Sequence, residues 1–174
     1  MTVTPEAWAA MRLPAAVVPA AIGGPLSAAV RARLEGAGYT RCERIDRASY
    51  DALDPVEEPE LLDALVTLAV SVTGRDLSVR AARVMRLRPG DYALVRHDHV
   101  HEDRPIEIVL DLSEARVPGA EVHYRHRGQV FFVAPSAPGS LSIVERGPTV
   151  LCNHTYVSRR PPARTALRLV ALLG

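Results

Sequence analysis

The chain has 174 residues, 48% of them hydrophobic and 24% charged, with Lys+Arg at 21 against Asp+Glu at 20. That balance excludes a disordered chain and gives no basic face of the kind nucleic acid selects. The length suits one domain with a core of its own.

The apolar stretch at 13–22 is broken by Pro14 and Pro19 and lacks a basic leader, so it fits neither a signal peptide nor a membrane span. The expectation is a soluble, cytoplasmic protein with no membrane or nucleic-acid partner. Cys42 and Cys152 are too few for a disulfide framework and lack the CxxC spacing of a zinc ribbon or redox pair.

In chain order, "TPEAWAAM" opens with a capping threonine, and "PLSAAVRARLEGAG" has helical apolar spacing before a glycine stop. "YTRCERI" suits a strand. "EEPELLDALVTLAVSVTG" is acidic at its start, apolar along one broad face and closed by Gly74, which predicts a helix packed on a sheet. From about Arg80 the pattern changes to short β-branched and aromatic runs, separated by Pro, Gly or polar turns. The runs are "RAARVMRLR", "DYALVRH", "IEIVLDLS", "AEVHYRH", "QVFFVAP", "SLSIVER", "VLCNHTYVS" and "TALRLVALL", with turns at "PGD", "VPG" and "SAPG". Eight strands suit two four-stranded sheets. The predicted fold is mainly β with N-terminal helices (α+β), a double-stranded β-helix of the jelly-roll, cupin-like kind. One domain spans 1–174, with a mainly helical support at 1–75 and the β-helix core at 80–174.

All six histidines lie in the β-rich half: His97, His99, His101, His123, His126 and His154. In an extended strand His97 and His99 share a face and Asp98 takes the other. A third ligand must come from a distant strand, and His154 is the histidine far along the chain from that cluster. Three ligands with open positions form a catalytic rather than a structural metal pattern.

The segments "GDYALVRHDHVHEDRPIEIVLDL", "PGAEVHYR", "APSAPGSLSIV" and "NHTYVSRRPPARTALRL" together resemble the 2-oxoglutarate/iron(II)-dependent oxygenases of the prolyl 4-hydroxylase type. That family carries H-x-D on the second strand and a distal His followed about ten residues later by Arg or Lys. The resemblance implies that His97 and His154 ligate iron(II) and that Arg164 binds the distal carboxylate of 2-oxoglutarate, with Tyr92 a further candidate for that carboxylate. It also implies hydroxylation of a C–H bond coupled to oxidative decarboxylation of 2-oxoglutarate. The family's Asp is replaced by His99, giving an atypical His-x-His...His site, and three neutral imidazoles leave iron(II) its full double charge. An alternative register takes His101 and Asp103 as the H-x-D pair.

Arg168 competes with Arg164 as the carboxylate anchor. Asp98, Glu102 and Asp103 are candidates to orient the ligating imidazoles. Cys152 reads as a buried small hydrophobe, and His123 and His126 as part of a solvated turn. The substrate is expected to be a small molecule or an amino acid. Two alternatives keep the fold: a three-histidine metal-dependent dioxygenase that does not use 2-oxoglutarate, and a non-catalytic β-helix binding protein.

Overall fold

A computed structural model describes residues 3–96 and 105–174. The N-terminal part holds the helices α1 (Pro5–Ala9), α2 (Gly24–Glu35) and α3 (Pro59–Thr73) and the strands β1 (Ala15–Val18), β2 (Thr40–Arg44) and β3 (Ala48–Leu53). The remainder is all β: β4 (Val79–Leu87), β5 (Tyr92–Arg96), β6 (Ile106–Asp111), β7 (Val122–His126), β8 (Gln129–Ala134), β9 (Leu141–Glu145), β10 (Val150–His154) and β11 (Ala166–Leu173).

Local chemistry explains the helices. The Thr4 hydroxyl accepts the Ala7 N–H at 3.3 Å and Pro5 opens the first turn of α1, which places Trp8 in the core. Along α3, Leu61, Leu65, Ala69 and Val72 form one buried face. The helix ends at Gly74, whose φ of 68° is left-handed and whose N–H donates to the Val70 carbonyl.

The strands run β1-β9-β6-β11-β4-β3-β5-β10-β7-β8, with β2 paired to β3. Two four-stranded antiparallel layers result, β9-β6-β11-β4 and β5-β10-β7-β8. β3 links them by pairing with both β4 and β5. This is the jelly roll expected from the sequence, and the eight runs coincide with β4 to β11. The N-terminal support carries three strands as well as its helices. β1 lies in the proline-bounded apolar stretch, where Pro14 and Pro19 limit a short strand on β9.

Strand alternation creates two apolar layers. Ile106, Ile108 and Leu110 of β6 and Leu167, Leu169 and Ala171 of β11 pack toward the helices, with Leu61, Leu65 and Trp8. Val109 and Val170 face the barrel interior with Met85, Leu87, Val122, Tyr124, Val150 and Cys152. The same alternation sends Glu107, Asp111 and Arg168 inward. At Gly119, φ is 76° and an added Cβ would stand 2.5 Å from the Tyr156 carbonyl oxygen, so this glycine lets the loop before β7 close against the chain that follows β10. No described helix is long and apolar enough to cross a membrane.

Candidate active site

The barrel interior carries charge that its apolar lining does not predict. In β11, Ala166, Arg168 and Val170 alternate with residues facing the helices, so Arg168 projects between the sheets. Its side chain is 1% exposed. Nη1 donates to Nδ1 of His154 at 3.1 Å, Nη2 donates to the Ala120 carbonyl, and Nε has no hydrogen-bond partner. Asp111 lies directly opposite on β6. Its Oδ1 accepts the Ser113 N–H at 2.9 Å and its Oδ2 has no hydrogen-bond partner. Among the described residues no carboxylate forms an ion pair with Arg168. Burial pulls the guanidinium below its ordinary pKa, and the nearby Asp111 opposes that shift.

A second polar group lies closer to the end of the barrel where β5 stops and β6 starts. Glu107 forms an ion pair with Arg146 and accepts the Tyr124 hydroxyl at 2.7 Å, all three being buried. Burial, together with the charge of Glu107, pushes the Tyr124 phenol well above its usual range, so it stays protonated as a donor. This network satisfies the Glu107 carboxylate within the protein.

The residues singled out in the sequence fall in different places. His154 is buried at the end of β10 and faces inward with Arg168. An arginine N–H can only donate, so Nδ1 of His154 accepts and the neutral ring carries its proton on Nε2. Arg164 lies in the exposed segment before β11 and lines a surface cleft of about 310 Å³ with Glu35, Arg86, Ser113, Glu114 and Leu167. Tyr92 is half-buried at the start of β5, and the pleat directs it away from the face on which Ala93 joins the interior layer.

His97, His99, His101 and Asp103 lie outside the described residues, as do Asp98 and Glu102. Among the described residues no group of three or more His, Cys, Asp or Glu side chains is placed to hold a metal. The β5–β10 pairing sets Cys152 opposite Arg96 and His154 opposite Ala93, with a register shift between them. Sequence reasoning gave no role to the Tyr124–Glu107–Arg146 group, whose signal was two charges and a phenol at inward positions of otherwise apolar strands.

Solved structures share this architecture. An oxidoreductase of the 2OG-Fe(II) oxygenase family from Burkholderia pseudomallei superposes with a TM-score of 0.74 at 15% identity, covering 92% of this chain and 85% of that one. A Pseudomonas putida prolyl-4-hydroxylase gives 0.69 at 17% identity, with 91% of each chain covered. HygX from Streptomyces hygroscopicus, solved with nickel and 2-oxoglutarate bound, gives 0.65 at 12% identity over 92% of this chain and 82% of that one. The fold is therefore the double-stranded β-helix of these proteins. No family model and no curated protein matches the chain.

Proposed function

We propose that the chain is a 2-oxoglutarate- and iron(II)-dependent oxygenase of the hydroxylase type, in which Arg168 receives the distal carboxylate of 2-oxoglutarate inside the barrel. The observation that carries this reading is the buried Arg168 guanidinium, bonded to two neutral acceptors and with Nε unpartnered. A guanidinium removed from water needs an opposite charge, and its planar fork matches a carboxylate. The chemistry of the donor set therefore fits the dicarboxylate. In this assignment Arg168 takes the role that the family resemblance gave to Arg164, whose exposed cleft lies outside the barrel interior. Tyr92 has no part in the interior anchor.

His97 and His99 are assigned as metal ligands, with His101 and Asp103 as the alternative pair. His154 is assigned to the orientation of Arg168, because a ring that accepts from Arg168 at Nδ1 and a neutral ring that ligates through Nε2 require opposite tautomers. When bound, the iron and 2-oxoglutarate supply the oxidising chemistry, activating O2 for attack on a C–H bond of a small-molecule or amino-acid substrate. The chain's own contribution is to fix the dicarboxylate, exclude water with Tyr124, Val109, Val170 and Cys152, and aim the cosubstrate toward the end of β5.

The readings that dispense with 2-oxoglutarate, a three-histidine dioxygenase or a non-catalytic barrel, give the Arg168 Nε no acceptor. Conversion of 2-oxoglutarate to succinate by iron-loaded protein in air tests the proposal. Turnover by the wild type and its loss in Arg168→Gln are expected; equal turnover in both would contradict the assignment.

A further inference from the structure

The cleft that holds Arg164 opens on the helix side of the β9-β6-β11-β4 layer, where Arg86 on β4 and Leu167 on β11 are Cα partners and Leu167 belongs to the helix-facing layer. Its walls are the loop that follows β6, the loop that precedes β11, and Glu35 at the end of α2. The backbone ties the two loops together. The Leu112 N–H donates to the Leu167 carbonyl at 2.8 Å, and the Leu167 N–H donates to the Ser113 hydroxyl at 3.1 Å. Glu114, next after Ser113, and Arg164, three residues before Leu167, are thereby carried on different walls of one opening.

The charges that line this cleft do not answer one another. Arg86 is satisfied within the protein, because its Nε donates to Asp51 at 3.0 Å and its guanidinium stacks over the Tyr39 ring at 4.0 Å. Arg164 and Glu114 form no ion pair with each other, and among the described residues neither has an ion-pair partner elsewhere. Glu35 reaches Arg31, one turn back on α2, at 3.8 Å. One guanidinium and two carboxylates therefore line the same space without direct contact between opposite signs, and Leu167, Ala115 and Ala163 give it an apolar lining.

We propose that this cleft binds a free α-amino acid with an aliphatic side chain, its carboxylate on Arg164, its ammonium on Glu114 and Glu35, and its side chain against Leu167, Ala115 and Ala163. The donor set selects the class. A planar guanidinium matches a carboxylate edge, and an ammonium can only donate, which suits the two glutamates. A dicarboxylate such as 2-oxoglutarate would be repelled by Glu35 and Glu114, and a simple amine would leave Arg164 unanswered. At about 310 Å³ the cleft is at the small end of ligand sites, which span about 300–1,000 Å³, so it suits a single amino acid rather than a cofactor. The site is separate from the barrel interior and stands whether or not the oxygenase reading does. Exposed ion pairs contribute little singly, so its signature is a preference for both charges over either one.

Isothermal titration of the metal-free protein in excess EDTA tests this with L-leucine, with 4-methylpentanoate, which lacks the ammonium, and with 3-methylbutylamine, which lacks the carboxylate. L-Leucine should bind the wild type about tenfold more tightly than either analogue. Arg164→Gln and Glu114→Gln should each remove that preference, and Arg168→Gln should keep it. Loss in Arg168→Gln with retention in Arg164→Gln would overturn the proposal and place the amino acid inside the barrel, where a substrate of the proposed oxygenase would bind. Equal affinity for the three probes, or no L-leucine binding by the wild type at millimolar concentration, would also overturn it. Arg164 and Glu114 are both exposed, so their substitution leaves the core untouched. If either variant nevertheless fails to fold, the comparison of the three probes on the wild type still decides.

Discussion

Arg168 and Asp111 face each other directly across β11 and β6, yet the guanidinium bonds to the His154 ring and the Ala120 carbonyl and forms no ion pair with the carboxylate. The Asp111 charge is close enough to favour the charged guanidinium without occupying its hydrogen-bonding edge. An anion bound at Arg168 would experience the same charge as repulsion. Asp111→Asn should therefore tighten 2-oxoglutarate binding, by up to about tenfold or ~1.4 kcal/mol. Titration calorimetry checks this, and weaker binding in the variant would show that Asp111 instead supports the anchor.

The Glu107–Arg146 pair is a stability element. Glu107→Ala removes the carboxylate of a buried ion pair with Arg146 and should cost about 3–5 kcal/mol. Tyr124→Phe removes one donor to a carboxylate that keeps Arg146, with an expected cost of about 1–2 kcal/mol. Urea denaturation of both variants measures the difference, and equal losses would mean that the phenol, not the ion pair, holds the group together.

Acid sensitivity should arise at the junction of β2, β3 and β4. Arg41 binds both Asp51 and Asp91, while Arg86 and Arg88 also reach Asp51. Burial acts to raise the pKa of both carboxyl groups, but hydrogen bonds from Arg86 and Arg41 at Asp51, and from Arg41 and the Arg88 backbone at Asp91, outweigh it and hold both below the ordinary value. A lowered folded-state pKa contributes stability that is fully present above the unfolded value of about 3.9 and is lost as pH falls through the folded value. The melting temperature should therefore fall as pH drops below about 4, and Asp51→Asn with Asp91→Asn should flatten that dependence while lowering stability at neutral pH. An unchanged acid profile in the double variant would place the sensitivity elsewhere.

Metal binding separates the two ligand registers. His99→Ala should abolish iron(II) binding if His97 and His99 are the ligands, and Asp103→Ala should do so if His101 and Asp103 are. His154→Gln should leave iron(II) affinity within a few-fold and weaken 2-oxoglutarate binding, because its assigned partner is Arg168. Loss of iron(II) from His154→Gln would return that histidine to the ligand set.

The β-helix was legible because its signal is local: a period of two in each run, and Pro or Gly between runs. The short strand β1 was hidden by its prolines, and β3 by a sequence, "ASYDAL", whose pairing with three neighbours comes from tertiary position. Arg164 and Arg168 illustrate a deeper limit. Residue spacing from His154 counts the chain along 155–165, but that segment takes an irregular path, so the count does not fix which arginine enters the interior. What distinguishes Arg168 is its place as a lone charge within an apolar strand, alternating with Ala166 and Val170. That pattern was present in "TALRLVALL" and carries more physical information than the spacing.

Anaerobic titration of iron(II)-loaded protein with 2-oxoglutarate, monitored for the metal-to-ligand charge-transfer band of the chelated 2-oxo acid, tests the central claim most directly. The band should form in the wild type and in Arg164→Gln and be lost or require far higher 2-oxoglutarate in Arg168→Gln. A band that persists in Arg168→Gln and disappears in Arg164→Gln would contradict the account, as would iron(II) binding with no band in the wild type.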